Sequence, residues 1–171
     1  MTTRIGRSSN FRRPNDREPN PVGQINRQRS RLTVRIKHPT RDLARICKVM
    51  GLKPIRIWTR GDKRITPVGK EIGGVREYSY CAIELASSSR NSMQKQVATV
   101  ITVLRPHKRM LRRISSTGGR ISFFIGWFCA RDTGERLDWE VLSAMAEMRI
   151  SLDINIYIEC TPTRRSTDKM R

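Results

Sequence analysis

The chain has 171 residues, with 35 lysines and arginines against 15 aspartates and glutamates, a net charge of +20 at neutral pH. That length fits one domain with tails better than two domains, and so large a charge opposes compaction and favours a polyanionic partner. No run approaches the ~18–20 apolar residues of a membrane span, and the basic N-terminus lacks the apolar stretch of a secretory signal, which predicts a soluble cytoplasmic protein.

Residues 1–30 show neither strand nor helix periodicity. They carry Pro14, Pro19 and Pro21 and seven arginines against Asp16 and Glu18, a net +5. Low hydrophobicity with unbalanced charge cannot offset the entropy of ordering, so this segment reads as a disordered basic arm. Residues 161–171 read as a basic C-terminal tail, with Arg164, Arg165, Lys169 and Arg171 against Asp168. The single domain is expected over 31–160, which keeps a charge of +12 of its own.

Within that span the apolar period alternates between 2 and 3.6. Leu32, Val34 and Ile36 alternate with Thr33, Arg35 and Lys37, predicting a half-buried strand. Leu43, Ile46, Cys47 and Met50 then share a helix face, with Thr40 as the expected N-cap and Gly51 as the left-handed stop. Arg56, Trp58 and Arg60 alternate with Ile55, Ile57 and Thr59, a second strand ending near Gly61-Asp62. Residues 61–77 hold Pro67 and four glycines and read as a long loop.

Cys81, Ile83 and Leu85 follow the Tyr78/Tyr80 pair as a third strand, and Met93, Val97, Val100, Ile101 and Leu104 return to helical spacing. Pro106 lacks a donor and divides or kinks that helix before Met110, Leu111 and Ile114 resume its stripe up to Gly118-Gly119. Ile121, Phe123, Ile125, Trp127 and Cys129 alternate strictly, the strongest strand signal in the chain. A third helix is expected over Leu137, Val141, Leu142, Met145 and Met148, with Asp138 and Glu140 suited to its positive end. Leu152, Ile154, Ile156 and Ile158 mark the last strand. The order β-α-β-β-α-β-α-β, without internal repeats, predicts an α+β fold with helices on one face of a largely antiparallel sheet.

Several of these stretches resemble the bacterial DUF4279 family, a domain of unknown function. The resemblance rests on the apolar first strand, the helix running into Met50-Gly51-Leu52-Lys53-Pro54, Trp58 followed by Gly61-Asp62, and Ile150-Ser151-Leu152-Asp153-Ile154-Asn155-Ile156-Tyr157. It spans about residues 31–160 and excludes both tails. The family supplies no catalytic residues to carry over, and it implies a small bacterial domain in an immunity-protein or mobile-element setting. This chain departs from the family in being far more basic.

Enzyme chemistry finds little support. Cys47, Cys81, Cys129 and Cys160 are far apart in sequence and lie in or beside apolar patterns, which is the pattern of buried thiols and not of a zinc or redox motif. His38 and His107 lack metal-ligand spacing, and Gly69, Gly73 and Gly74 lack the Lys-Ser/Thr of a phosphate loop. Asp153 and Glu159 read as the solvated side of a strand. No catalytic set, metal or cofactor is therefore expected.

Two basic features remain. Arg105, Lys108, Arg109, Arg112 and Arg113 fall on a helix in a stretch without one acid from Lys95 to Arg131. Unmixed positive charge of that kind suits phosphates, which exchange bound counterions for it. The second patch is Arg56, Trp58 and Arg60 on one side of a strand, extended by Arg35 if the strands adjoin, where an aromatic between guanidiniums can stack a base. The opposing view of Trp58 is that it packs beneath the Gly61 loop. Arg12, Arg13, Arg27, Arg29, Arg164 and Arg165 add tail contacts that carry no sequence information. The expectation is a non-enzymatic protein that binds DNA, RNA or a nucleoprotein complex. The alternatives are an immunity-type inhibitor of an acidic protein partner and a subunit of a ribonucleoprotein assembly.

Overall fold

The computed structural model describes residues 29–86, 91–129 and 134–158. Its elements follow the expected sequence with one insertion. They are β1 (Arg29–His38), α1 (Leu43–Val49), β2 (Arg56–Trp58), β3 (Lys63–Ile65), β4 (Glu71–Val75), β5 (Ser79–Ala86), α2 (Met93–Leu104), α3 (Lys108–Ser116), β6 (Arg120–Cys129), α4 (Trp139–Glu147) and β7 (Ile150–Ile158). Five strands form one sheet in the order β2-β5-β1-β6-β7, antiparallel except where α4 carries the chain from β6 to a parallel β7. Pro106 sits in a 3-10 turn, Arg105–His107, that separates α2 from α3, as its missing donor requires.

The strand parities decide where the core lies. Leu32, Val34 and Ile36 of the central strand are fully buried, as are Ile83 on β5 and Phe123 and Ile125 on β6. Helix residues Leu43, Val97, Val100, Leu104, Leu111, Ile114 and Met145 pack on them in one cluster. All four helices therefore cover one face of the sheet, and the other face is left to β1's Arg29, Arg31, Thr33, Arg35 and Lys37 and their neighbours.

Three local expectations are corrected. The first strand begins at Arg29, because β6 offers ladder partners as far as Phe128 and because Gln96 Nε2 donates to the buried Ser30 hydroxyl at 2.6 Å. The α1 N-cap is Asp42, whose carboxylate accepts from Ala44 N at 2.8 Å, and not Thr40. The N–H groups of Thr40 and Arg41 go instead to Nδ1 of His38, at 3.1 and 2.8 Å. The loop over 61–77 contains an antiparallel ribbon, β3 with β4, pinned by Lys63–Glu71 at 2.9 Å. Every residue of that ribbon is exposed, so it has no buried side to leave a period in the sequence.

The last strand, β7, forms as expected, but its apolar side is only partly covered. Leu152 is half-buried, but Ile154, Ile156 and Ile158 are 42, 60 and 76% exposed. Nine residues of α4 reach about 13 Å, whereas nine residues of edge strand reach about 30 Å, so the helix covers only the start of β7. Residues 1–28 and 159–171 lie outside the described residues, and with them Arg12, Arg13, Arg27, Arg164, Arg165, Cys160, Glu159 and the basic arm and tail themselves.

Candidate nucleic-acid interface

Cross-strand partners in a sheet point to the same side, so the register assigns the helix-free face row by row. One row runs Trp58, Tyr80, Lys37, Arg120 and the next Arg56, Ala82, Arg35, Ser122, Ser151. Then come Thr33, Phe124, Asp153, followed by Arg31, Gly126, Asn155, and finally Arg29, Phe128, Tyr157. The condition placed on Arg35, that its strand adjoin the Trp58 strand, is not met. β1 and β2 do not pair; β5 lies between them, and its small Ala82 joins Arg56 and Arg35 in one row.

Two aromatic groups stand at opposite corners of this face. Trp58 and Tyr80 stack at 4.3 Å between centroids and 25° between planes, and Phe128 and Tyr157 stack at 4.8 Å and 14°. The second pair leans over Gly126, where any side-chain carbon would come within 3.5 Å of both rings. Cations are interleaved with the rings. The Arg35 guanidinium lies 3.3 Å from the Phe124 centroid, Arg76 lies 4.2 Å from Trp58, and the Lys37 ammonium lies 5.3 Å from Tyr78. Trp58 Nε1 donates to Tyr78 O at 3.1 Å, so the indole is partly exposed but held on several sides. Trp58 sits on the cationic face, and Arg76 from the end of the β3–β4 ribbon lies against it. Burial raises the Tyr80 hydroxyl above its ordinary pKa. Arg31, Lys37, Arg56 and Arg120 are exposed, and Glu84 and Asp153 are acids on this side among the described residues.

The helical cluster is on the other side of the molecule and is divided. Lys108 Nζ reaches Glu147 Oε2 at 2.6 Å, and Arg112 Nη1 donates to Glu147 O at 3.0 Å, so both close the C-terminal end of α4. The Lys108 hydrogen bond and charge, aided by Arg105 and Arg112, hold the Glu147 carboxyl below its ordinary pKa. Arg105, Arg109 and Arg113 stay exposed. Arg60 is also exposed, with its backbone N–H on Ser79 Oγ at 3.1 Å. Arg29 belongs to β1 and lies 5.5 Å from the Phe128 ring, so it joins the sheet face and not a tail. No flat ligand can touch both patches at once.

The remaining candidates have local structural roles. The buried His38 ring donates and accepts within the protein, as Nε2 meets Thr117 Oγ1 at 3.0 Å. Cys47, Cys81 and Cys129 are buried free thiols, the first two with sulfurs 3.6 Å apart. Asp138 stands at the α4 N-cap, but its carboxylate makes no capping bond and is taken by Gln94 Nε2, while Asp138 N donates to Gln94 Oε1 at 2.8 Å. Among the described residues, no three His, Cys, Asp or Glu side chains are grouped to hold a metal, and no helix is long and apolar enough to cross a membrane.

The residues missed by reading the sequence were Phe124, Phe128, Tyr157, Arg76 and Arg120. The signal for the first two was present, since β6 alternates apolar residues with Ser122, Phe124, Gly126 and Phe128, a second aromatic parity. A family model described as a domain of unknown function (DUF4279) matches residues 28–159. No curated protein and no solved structure matches the chain.

Proposed function

The chain belongs to the DUF4279 family, whose function is unknown, so its task must be read from its own surface, and we propose that it is a non-enzymatic protein that binds single-stranded nucleic acid, free or within a nucleoprotein complex. The observation that carries this reading is the helix-free sheet face, on which aromatic pairs and exposed cations alternate across five strands. Stacking on rings is tolerant of base identity, and a cationic track between them follows the backbone phosphates. The two aromatic corners belong to rows eight residues apart along β1, about 27 Å, which suits several extended nucleotides better than one base. A duplex keeps its bases stacked inside and would use the cations alone. The net charge of +20 supports the same partner.

The test is fluorescence anisotropy of labelled single- and double-stranded DNA and RNA over a salt series. Each phosphate neutralised on a single strand contributes about −0.7 to the log–log salt slope. Replacing Arg31, Lys37 and Arg56 by Gln is therefore expected to flatten the slope by up to about 2, and Tyr157→Ala to weaken binding by about 1–3 kcal/mol. Replacing Arg105, Arg109 and Arg113 instead should leave single-strand binding nearly unchanged. A slope carried by that helical set, or equal affinity for duplex, would overturn the sheet-face assignment. Negligible binding of all four nucleic acids near physiological salt would favour an acidic protein partner.

A further inference from the structure

On the helical side, α1 and α3 leave between them an open groove of about 420 Å³, bounded at one end by Pro106 and His107. Its floor is apolar. Ile114 is buried, and Ile46 and Met110 are half-buried against the core cluster. Its rim is cationic, with Arg41 on the α1 side and Arg109 and Arg113 one helical turn apart on α3. No acidic residue lines it.

The three guanidiniums are differently placed. Arg41 is half-buried and its Nε donates to Thr117 Oγ1 at 3.1 Å, which fixes the side chain while leaving its terminal nitrogens without a partner among the described residues. Thr117 is itself held, since its hydroxyl meets His38 Nε2 and donates to Arg113 O at 2.8 Å. The side chains of Arg109 and Arg113 form no ion pair among the described residues, while the nearby Glu147 is taken by Lys108. Three guanidiniums without an ion pair among the described residues line one apolar floor and repel one another, and their remaining N–H donors are open to a planar oxyanion. The volume falls in the range of small-ligand pockets, about 300–1,000 Å³.

We infer that this groove is a binding site for a small amphipathic organic anion, with an acyl or aryl body on Ile46, Met110 and Ile114 and a carboxylate or phosphate head held by Arg41, Arg109 and Arg113. The inference is independent of the sheet-face reading, because the two surfaces lie on opposite sides of the sheet.

Methyl NMR of the full chain tests it, since the isoleucine and methionine methyls of the floor report where a ligand sits. The probes are octyl phosphate, octanoate, 1-octanol and inorganic phosphate. Saturable shifts of the Ile46, Met110 and Ile114 methyls with either anionic amphiphile, with 1-octanol and inorganic phosphate at least tenfold weaker, are the expected result. The stronger of octyl phosphate and octanoate identifies the head group. The double variant Arg109→Gln/Arg113→Gln should lose tenfold or more in affinity while its other methyl signals stay in place. Both arginines are exposed, so the fold does not depend on them. Inorganic phosphate binding as well as octyl phosphate would reduce the site to a cationic patch. Equal binding of 1-octanol, or shifts confined to Ile154, Ile156 and Ile158, would remove the anion-binding role altogether.

Discussion

His38 makes the fold sensitive to acid, and the size of the effect follows from its surroundings. The ring is 2% exposed, accepts two backbone N–H groups at Nδ1 and meets Thr117 Oγ1 at Nε2. That set requires the neutral tautomer with hydrogen on Nε2, because a proton on Nδ1 would face two donors. Burial first, and then the Arg41 charge, lower its pKa below the ordinary 6.5, outweighing the opposite pull of the Thr117 hydrogen bond. Above pH 6.5 both folded and unfolded chains hold a neutral ring, and the full stability is present. As pH falls below that value, the unfolded chain gains a proton that the folded chain refuses, so stability declines.

The loss cannot exceed about 1.4 kcal/mol per pH unit for one group, and integrates to at most about 1 kcal/mol between pH 6.5 and 5.5. For a domain of this size that corresponds to about 3–5 °C in Tm. The assay is thermal unfolding by circular dichroism from pH 7.5 to 5.5, comparing the native chain with His38→Asn. Asparagine retains a carbonyl acceptor for Thr40 and Arg41 but has no proton to gain. The native curve should fall relative to the variant, and His107→Gln should follow the native one. Parallel curves for the native chain and His38→Asn would refute the assigned tautomer and its hydrogen bonds.

Other consequences concern the core. Phe123 is fully buried on β6, which pairs with the central strand β1, and Phe123→Ala should cost about 3–5 kcal/mol in urea denaturation; a cost under about 1 kcal/mol would show that the core closes differently. At Gly119 an added Cβ would stand 2.6 Å from Ile114 Cγ2 and 2.8 Å from the Ile114 carbonyl oxygen. Gly119→Ala should therefore destabilise the chain by about 1–3 kcal/mol in the same assay. The Cys81 thiol is pushed far above its ordinary range by its contact with Cys47 and by burial. Reaction of that pair with a disulfide reagent should track unfolding, and immediate modification of both in the native chain would contradict their burial.

Much of the architecture could be read from the residues because each core strand repeats a single period. Leu32-Val34-Ile36 and Ile121-Phe123-Ile125 announce both strand and buried side, and Pro106 marks the break between α2 and α3. The ribbon of β3 and β4 was invisible for the opposite reason, since nothing in it is buried. The N-cap of α1 was misplaced because a histidine two residues upstream of Thr40 takes the N–H groups of Thr40 and Arg41. The isoleucines of β7 marked the strand but not its exposure, because alternation reports which side a residue faces and not whether a helix reaches that far.

The candidate interface divides along the same line. Composition alone determined the sign of the surface, and strand parity alone put Arg56 with Trp58 and Arg31 with Arg35. Only the tertiary structure decided that β5 would join Arg56 and Arg35 in one row, and that Phe124, Phe128 and Tyr157 would share their face. It also decided that Lys108 and Arg112 would reach the C-terminal end of α4. The physical reason is range. Periodicity and charge are properties of neighbours in the chain, whereas strand order, register and the pairing of a lysine with a glutamate 39 residues away are set by which segments bury the most surface together.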